Sequence, residues 1–138
     1  MPSPPLGFLL STLASALREN TEKQLADLGL TPREYGLLWR LADGPLSQRQ
    51  LGELHRIDRT TVVGLLDRLE VARLVDRTVD ATDRRRHAVS ITDAGRTLLE
   101  SATAVVDEAS SSFTAALTTA ERSTLLRLLV KLLEGSQP

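Results

Sequence analysis

The stretch that decides the fold spans residues 31–92 and reads TPREYGLLWRLADGPLSQRQLGELHRIDRTTVVGLLDRLEVARLVDRTVDATDRRRHAVSIT. Apolar residues recur at helical spacing in its first half, and the second half changes to the alternation typical of short strands. This order predicts a helix, a short helix, a longer helix and a hairpin. We expect residues 30–92 to form one compact lobe.

The first helix of this lobe has clear start and stop signals. Thr31 as N-cap, Pro32 at the first helical position and Glu34 three residues after the cap are the pattern of a capping box. They predict a helix over residues 32–42. The turn sequence Asp43-Gly44-Pro45 ends it.

Two more helices follow after short turns. Ser47 and Gln50 give a second capping box, and we expect Leu51 and Leu54 on the inner face of the short helix that begins there. Asp58 is a favourable N-cap residue for a longer helix that ends at about residue 71. A short turn between two such helices is typical of a helix-turn-helix motif.

Residues 74–79 and 88–91 alternate in polarity, so they predict the two strands of a hairpin. The connecting loop carries the consecutive residues Arg84, Arg85 and Arg86. Three adjacent guanidinium groups repel one another unless an anion is near, and an arginine-bearing loop suits the narrow minor groove of A·T-rich DNA. The alternative is a solvated run of charge.

The ends of the chain are also expected to be helical, over residues 6–28, from 93 to 113 after the N-cap Thr92, and up to about 134 after the capping box of Thr118 and Glu121. The last helix has too many apolar residues for one buried stripe. We therefore expect residues 1–29 and 93–138 to form a dimerisation region with a second copy. The alternative is a monomer whose terminal helices pack only on each other.

The composition excludes several classes of function. The chain of 138 residues has no cysteine, which removes disulfides and thiolate nucleophiles, and its only histidines are His55 and His87. Because no acid–base constellation, phosphate loop or metal-ligand pattern occurs, we expect no enzyme activity, cofactor or metal. No apolar stretch approaches the roughly 20 residues of a membrane span, and the first residues lack a basic signal region, so we expect a cytoplasmic protein without a membrane partner.

The net charge of −1 is unusual for a nucleic-acid-binding protein, but the charges are unevenly distributed. Residues 46–96 contain ten arginines, no lysine and eight acidic residues. The planar guanidinium group suits bidentate contacts to phosphate or guanine. Double-stranded DNA is therefore the expected partner, with Arg59, Thr60 and Thr61 at the start of the third lobe helix facing the major groove.

At this point the chain resembles the MarR family of bacterial regulators over essentially its whole length. The resemblance lies in LTPREYGLL at 30–38, DRTTVVGLLDRLE at 58–70, DRR at 83–85 and SITDAGRTLL at 90–99, in this order and spacing. It implies a mainly α fold with a small β-hairpin wing, in which a winged helix-turn-helix is flanked by N- and C-terminal dimerisation helices.

The resemblance also implies a function: a homodimeric, DNA-binding transcription regulator, expected to be a repressor that reads a pseudo-palindromic operator and is released by a small ligand. The arginine matching Arg85 enters the minor groove in such proteins and forms a salt bridge with the acidic residue matching Asp58. Together with the arguments above, the candidate DNA-binding residues are Ser47, Gln48, Arg56, Asp58, Arg59, Thr60, Thr61, Arg68, Arg84, Arg85 and Arg86.

Four positions depart from the family pattern. Arg56 and Arg73 replace glycines at the two ends of the third lobe helix, which is the recognition helix of such proteins. Both turns therefore lose a residue that adopts the left-handed backbone conformation easily. His55 replaces an apolar residue, and Gly64 stands where relatives often carry a side chain that contacts bases. We therefore expect thinner base readout and an added phosphate contact from Arg56.

Two alternatives remain at this stage. A small aromatic or phenolic effector is expected from the resemblance, and Phe8, Tyr35 and Trp39 are candidates to line its pocket, although aromatic residues at helical spacing also serve as core. The competing function is a winged helix that binds another protein without specific DNA binding.

Overall fold

The computed structural model describes residues 2–79 and 87–136. These residues form six α-helices and a small three-stranded sheet. In chain order the elements are α1 (Leu6–Ala26), α2 (Pro32–Leu41), β1 (Leu46–Ser47), α3 (Gln48–His55), α4 (Arg59–Val71), β2 (Val75–Val79), β3 (His87–Ile91), α5 (Asp93–Phe113) and α6 (Thr119–Gly135).

The helices predicted from capping residues are confirmed. Ser47 and Thr118 each form a complete capping box, and the Asp58 and Thr92 side chains accept the backbone N–H groups of their N3 residues. The first helix ends at Ala26 rather than at 28, because Leu25 O accepts both Leu28 N–H and Leu30 N–H around the left-handed Gly29 (φ 74°).

One strand is absent from the sequence-based prediction. β1 has only two residues, too few for an alternating pattern, and pairs antiparallel with β3 through Leu46↔Val89 and Ser47↔Ala88. β2 pairs with the other edge of β3, in the register Val75↔Ile91, so the sheet order is β1-β3-β2. The pairing fixes the start of α3 against the hairpin.

The core lies inside the lobe but is not confined to it. Leucines of α2, α3 and α4 pack with Val75 and Val89 of the sheet, and Leu25, Leu99 and Ala102 from α1 and α5 belong to the same cluster. Leu51 is fully buried as expected, whereas Leu54 is 39% exposed, which corrects the expectation that it faces inward. Helices α1 and α5 therefore share the core that shapes the lobe.

The hairpin and α5 are joined closely. Thr92 donates from its Oγ1 to Arg73 O at 2.8 Å, and its backbone N–H donates to Leu74 O at 3.0 Å. A Cβ on Gly95 would collide with Leu74 O and the Ile91 side chain, so only glycine permits this approach. The base of the wing is thereby fixed to the first turn of α5.

The apolar side chains of α6 and of the first half of α1 are not covered by other parts of the single chain. α6 buries none of its residues, and large apolar side chains are exposed along α6 and the first half of α1. Along the described residues, no helix combines the length and the hydropathy that a membrane span requires.

Candidate nucleic-acid interface

The turn between α3 and α4 sets the angle at which α4 leaves the lobe. Arg56 caps α3 in the left-handed region at φ 52° and ψ 46°, and the following Ile57 N–H donates to Gly52 O at 2.9 Å. A Cβ on Gly52 would lie 3.2 Å from Ile57 O and 3.4 Å from Val62 Cγ2. Gly52 therefore allows the two helices to approach closely at the turn.

Left-handed backbone at Arg56 costs roughly 1–2 kcal/mol relative to the right-handed region. Arg73, at φ 60°, adopts the same region after α4. Both turns lack the glycine that adopts this region easily, and both keep the left-handed geometry with arginine in its place.

α4 has one buried and one open face. Val62, Leu65, Leu66 and Leu69 are buried, whereas Arg59, Thr60 and Gly64 are exposed and Thr61 is half-buried. The open face begins in the first turn of the helix. A helix that presents its first turn in this way has the geometry that enters a major groove.

Asp58 holds the start of α4. Its Oδ2 accepts Thr61 N–H at 3.1 Å, and its Oδ1 accepts the Thr61 hydroxyl at 2.6 Å. These hydrogen bonds, the side-chain one first, lower the pKa of the Asp58 carboxyl. The partner implied for Asp58 by the family resemblance, Arg85, lies with Arg84 and Arg86 outside the described residues.

Arg77 makes a second contact that restrains α4, and the sequence pattern had not led us to expect it. Arg77 of β2 is largely buried and donates to Asp67 at 2.6 Å and to Val63 O at 3.3 Å, and its guanidinium lies 3.6 Å from Glu70. The sequence did contain a sign of this contact. Arg77 alternates with the buried Val75 on β2, and Asp67 and Glu70 lie three residues apart on the preceding helix α4. Arg77 thereby attaches the wing to the recognition helix.

Arg68 connects α4 to α2. Its guanidinium lies 3.2 Å from the carboxylate of Glu34, whose side chain is only 9% exposed. Thr31 Oγ1 does accept Glu34 N–H, but the reciprocal half of the predicted capping box does not form, since the Glu34 carboxylate turns to Arg68. A buried carboxylate needs such a partner to remain charged.

Two cavities flank α4. The strand-side cavity, of about 880 Å³, has Ser47, Gln48 and Arg59 in its lining. The arginine-lined cavity, of about 850 Å³, includes Arg18, Arg33, Thr60, Thr61 and Arg68. The structure thus brings six of the candidate residues to the two sides of one helix, while Arg56 lies at the turn that precedes it.

The three aromatic candidates for an effector pocket do not line either cavity. Phe8 is 62% exposed on the first half of α1. The Tyr35 hydroxyl lies 3.2 Å from Thr103 Oγ1 of α5, and Trp39 is about half exposed with the Arg40 guanidinium 5.3 Å from its ring centre. Their role as a pocket remains a prediction.

A helix-turn-helix that leads into an antiparallel hairpin defines the winged helix-turn-helix class of DNA-binding folds. Comparison with known proteins agrees with this class. Residues 28–86 match the model of the MarR family. A putative transcriptional regulatory protein for the hcr operon of Thauera aromatica is 37% identical over 129 residues, which cover 92% of this chain and 78% of that protein.

Two solved structures share the fold over almost the whole chain. BpsR of Bordetella bronchiseptica, described in a study of how 6-hydroxynicotinic acid regulates its DNA binding, is 29% identical with a TM-score of 0.81, covering 92% of this chain and 97% of its own. A cysteine-to-serine variant of MarR from E. coli, complexed with operator DNA, is 25% identical with a TM-score of 0.81 and covers 94% of each chain.

The chain therefore belongs to the MarR family. It is a DNA-binding transcriptional regulator and not an enzyme, as the sequence analysis expected.

His55 makes the α2–α3 contact sensitive to pH. A Cβ on Gly36 of α2 would lie 3.0 Å from His55 Cε1, and the buried Nε2 atom has no hydrogen-bond partner among the described residues. Burial, and secondarily the charge of Arg40, lower the pKa of His55. The fold therefore favours the neutral ring.

We expect the free energy of unfolding to decrease as the pH falls below about 6.5, because the unfolded chain then binds a proton that folded His55 resists. Urea unfolding at pH 7.5 and 5.5 measures this loss, and the His55→Leu variant should show less of it. The carboxyls of Asp58 and Glu121, whose pKa values are lowered, titrate below this range in both proteins. An identical pH dependence in the variant would contradict the assignment.

Proposed function

We propose that the chain is a homodimeric repressor that reads a pseudo-palindromic operator and responds to a small aromatic acid. DNA binding is supported chiefly by the geometry of α4. Asp58 caps this helix, Arg68 and Arg77 form ion pairs that hold it in place, and its first turn remains exposed. The winged lobe spans residues 30–92, and residues 1–29 and 93–138 supply the dimerisation helices.

In this proposal the candidate residues have three roles. Arg59, Thr60 and Thr61 contact the major groove, whereas Arg56, Ser47 and Gln48 contact the phosphate backbone beside it. Arg84, Arg85 and Arg86 reach the minor groove from the wing, with Asp58 as the partner of Arg85. Arg68 contributes through the position of α4, because its guanidinium already pairs with Glu34.

The left-handed geometry of Arg56 supports a role outside the fold. Its side chain is exposed, and glycine would satisfy the same backbone conformation without strain. An arginine that the fold does not need, placed directly before the recognition helix, is suitably placed to contact a phosphate. Arg73 has the same backbone strain but follows the recognition helix, so it provides a matched control.

We expect Arg56→Gly and Arg73→Gly each to raise the free energy of unfolding by ~0.5–1 kcal/mol, since both relieve left-handed strain and glycine loses part of the gain through unfolded-state entropy. Only Arg56→Gly should weaken DNA binding and lower the slope of log K against log salt by about 0.9. Gel shifts with the duplex upstream of the chain's own gene, at several salt concentrations, measure both quantities.

Equal salt slopes for the two variants would remove Arg56 from the interface. Failure of the unsubstituted protein to retard any duplex at low salt would overturn DNA binding itself, because the sequence-independent phosphate contribution appears first. In that case the winged helix would instead be a protein-binding module.

The homodimer is supported by apolar surface that one chain cannot cover. Leu126, Leu132 and Leu133 of α6 are each more than half exposed, and so are Leu6 and Phe8 of α1. Burying one such side chain contributes roughly 1.5–3 kcal/mol. A monomer would leave this whole surface in water, whereas a second copy covers it with an identical set of residues.

We expect the double variant Leu129→Glu/Leu133→Glu to be monomeric, because two carboxylates would be buried in the dimer interface without partners. Size-exclusion chromatography with light scattering measures the mass in solution. Lys131→Glu, an exposed charge change in the same helix, serves as the control and should remain dimeric. A double variant that stays dimeric would show that α6 is not the interface.

An effector site is supported by the arginine-lined cavity. It lies between α1, the start of α2 and the exposed side of α4. Arg18 and Arg33 supply positive charge for a carboxylate, whereas Arg68 already pairs with Glu34 and Glu22 adds one negative charge to the lining. A ligand there would contact both a terminal helix and the recognition helix. BpsR, a relative of the same fold, has its DNA binding regulated by an aromatic acid.

We expect a hydroxylated benzoic or nicotinic acid, in a panel that includes 6-hydroxynicotinic acid, to raise the melting temperature and weaken the gel shift. Arg33→Ala should reduce both responses because it removes one cation of the cavity. Arg49→Ala is the control, since Arg49 lines only the strand-side cavity and pairs with Glu53. A response unaffected by Arg33→Ala would place the ligand elsewhere, and the lack of any response would favour a regulator without an aromatic-acid effector.

A further inference from the structure

Gly64 lies in the interior of α4, six residues after the N-cap and seven residues before the end of the helix. Glycine is the least favourable helix-interior residue apart from proline, because it loses the most backbone freedom on folding. A glycine in the interior of the helix that is proposed to contact DNA therefore needs an explanation.

Packing within the single chain does not explain why residue 64 is a glycine. The backbone of Gly64 is not left-handed, and a Cβ at this position would meet nothing within 4 Å among the described residues, apart from its chain neighbours and the backbone of its own helix. Three other helical glycines are different, because Gly36, Gly52 and Gly95 each lie against a neighbouring residue that a Cβ would touch. Gly7 and Gly135 also have open space, but they lie at helix ends.

The open space at Gly64 lies on the exposed face of α4, the face that is proposed to contact DNA. Gly64 is one turn after Thr60 and Thr61, and all three line the same cavity. Val62, Leu65 and Leu66 occupy the opposite, buried face. The missing side chain therefore leaves a notch on the exposed face, one turn into the recognition helix.

We propose that Gly64 is a specificity-determining position, at which the 5-methyl group of an operator thymine packs against the bare backbone of α4. This inference rests on the proposed DNA-binding function. The thymine methyl is the apolar group that projects into the major groove, and apolar contact is how proteins recognise it. Thr60 and Thr61, one turn earlier, line the same cavity as Gly64.

The test uses a duplex enriched by the unsubstituted protein from a random-sequence library. Gly64→Ala should raise the urea midpoint of unfolding, since alanine favours the helix, and should weaken binding to this duplex about tenfold, since the added methyl occupies the space of the thymine methyl. Replacing operator thymines one at a time with deoxyuridine removes that methyl. One such duplex should restore most of the affinity of the Gly64→Ala variant while weakening the unsubstituted protein.

Val71→Ala is the matched control, because Val71 is 85% exposed at the far end of the same helix and its change to alanine should leave DNA binding as it was. The proposal is overturned if Gly64→Ala binds as tightly as the unsubstituted protein. It is also overturned if the variant is weakened but no deoxyuridine duplex restores it. If the unsubstituted protein enriches no duplex, the proposed DNA-binding function fails and this inference fails with it.

Discussion

The close packing of α3 on α4 at Gly52 is the contact on which the rest of the lobe depends. Because Gly52 has no Cβ, the Ile57 carbonyl and the Val62 side chain lie close to the backbone of α3, in a space that a Cβ would crowd. This close approach sets how the two helices pack. Ion pairs then hold α4 from two further directions, through Glu34 of α2 and Arg77 of β2. Because α4 is restrained on three sides, its free face is presented in one orientation.

Two features of the lobe reduce stability at the surface where DNA is proposed to bind. Arg56 takes a left-handed conformation that glycine would adopt without strain, and Gly64 occupies a helix interior that alanine would favour. Neither choice improves the packing among the described residues. Such local conflicts with helix and turn preferences are expected at functional sites, where the partner rather than the fold determines the residue.

Much of the fold could be predicted because its helix starts are local signals. Ser47, Asp58, Thr92 and Thr118 cap helices within four residues of sequence, so nearby residues alone identify them. The capping box expected for Glu34 was wrong because a partner 34 positions away, Arg68, takes its carboxylate. β1 was missed for a related reason, since a two-residue strand exists only through its pairing with β3.

The candidate site was less predictable than the fold. Capping and the order of the elements identified α4 as the helix that contacts DNA, but sequence spacing alone could not show which charged residues on or near it are already paired. Arg68 and Arg77 illustrate the limit, since both are arginines near the proposed interface and both are held by acidic residues of the same chain. Distinguishing a free cation from a paired one requires knowledge of contacts between elements.

The lobe shares one core with α1 and α5, and this bears on how such a regulator could be controlled. Leu25 of α1 and Leu99 and Ala102 of α5 are buried in the cluster that also contains Leu66 of α4. Well-packed cores do not deform continuously, so a change in the position of α1 or α5 is transmitted to the helices packed against it. The arginine-lined cavity lies on this same path, between α1 and the exposed side of α4. A ligand bound there would lie against Thr60, Thr61 and Gly64 and would occupy the surface proposed to contact DNA. A change in the pairing of two copies through α1 and α6 would instead act on the orientation of α4, through contacts that already hold the lobe together.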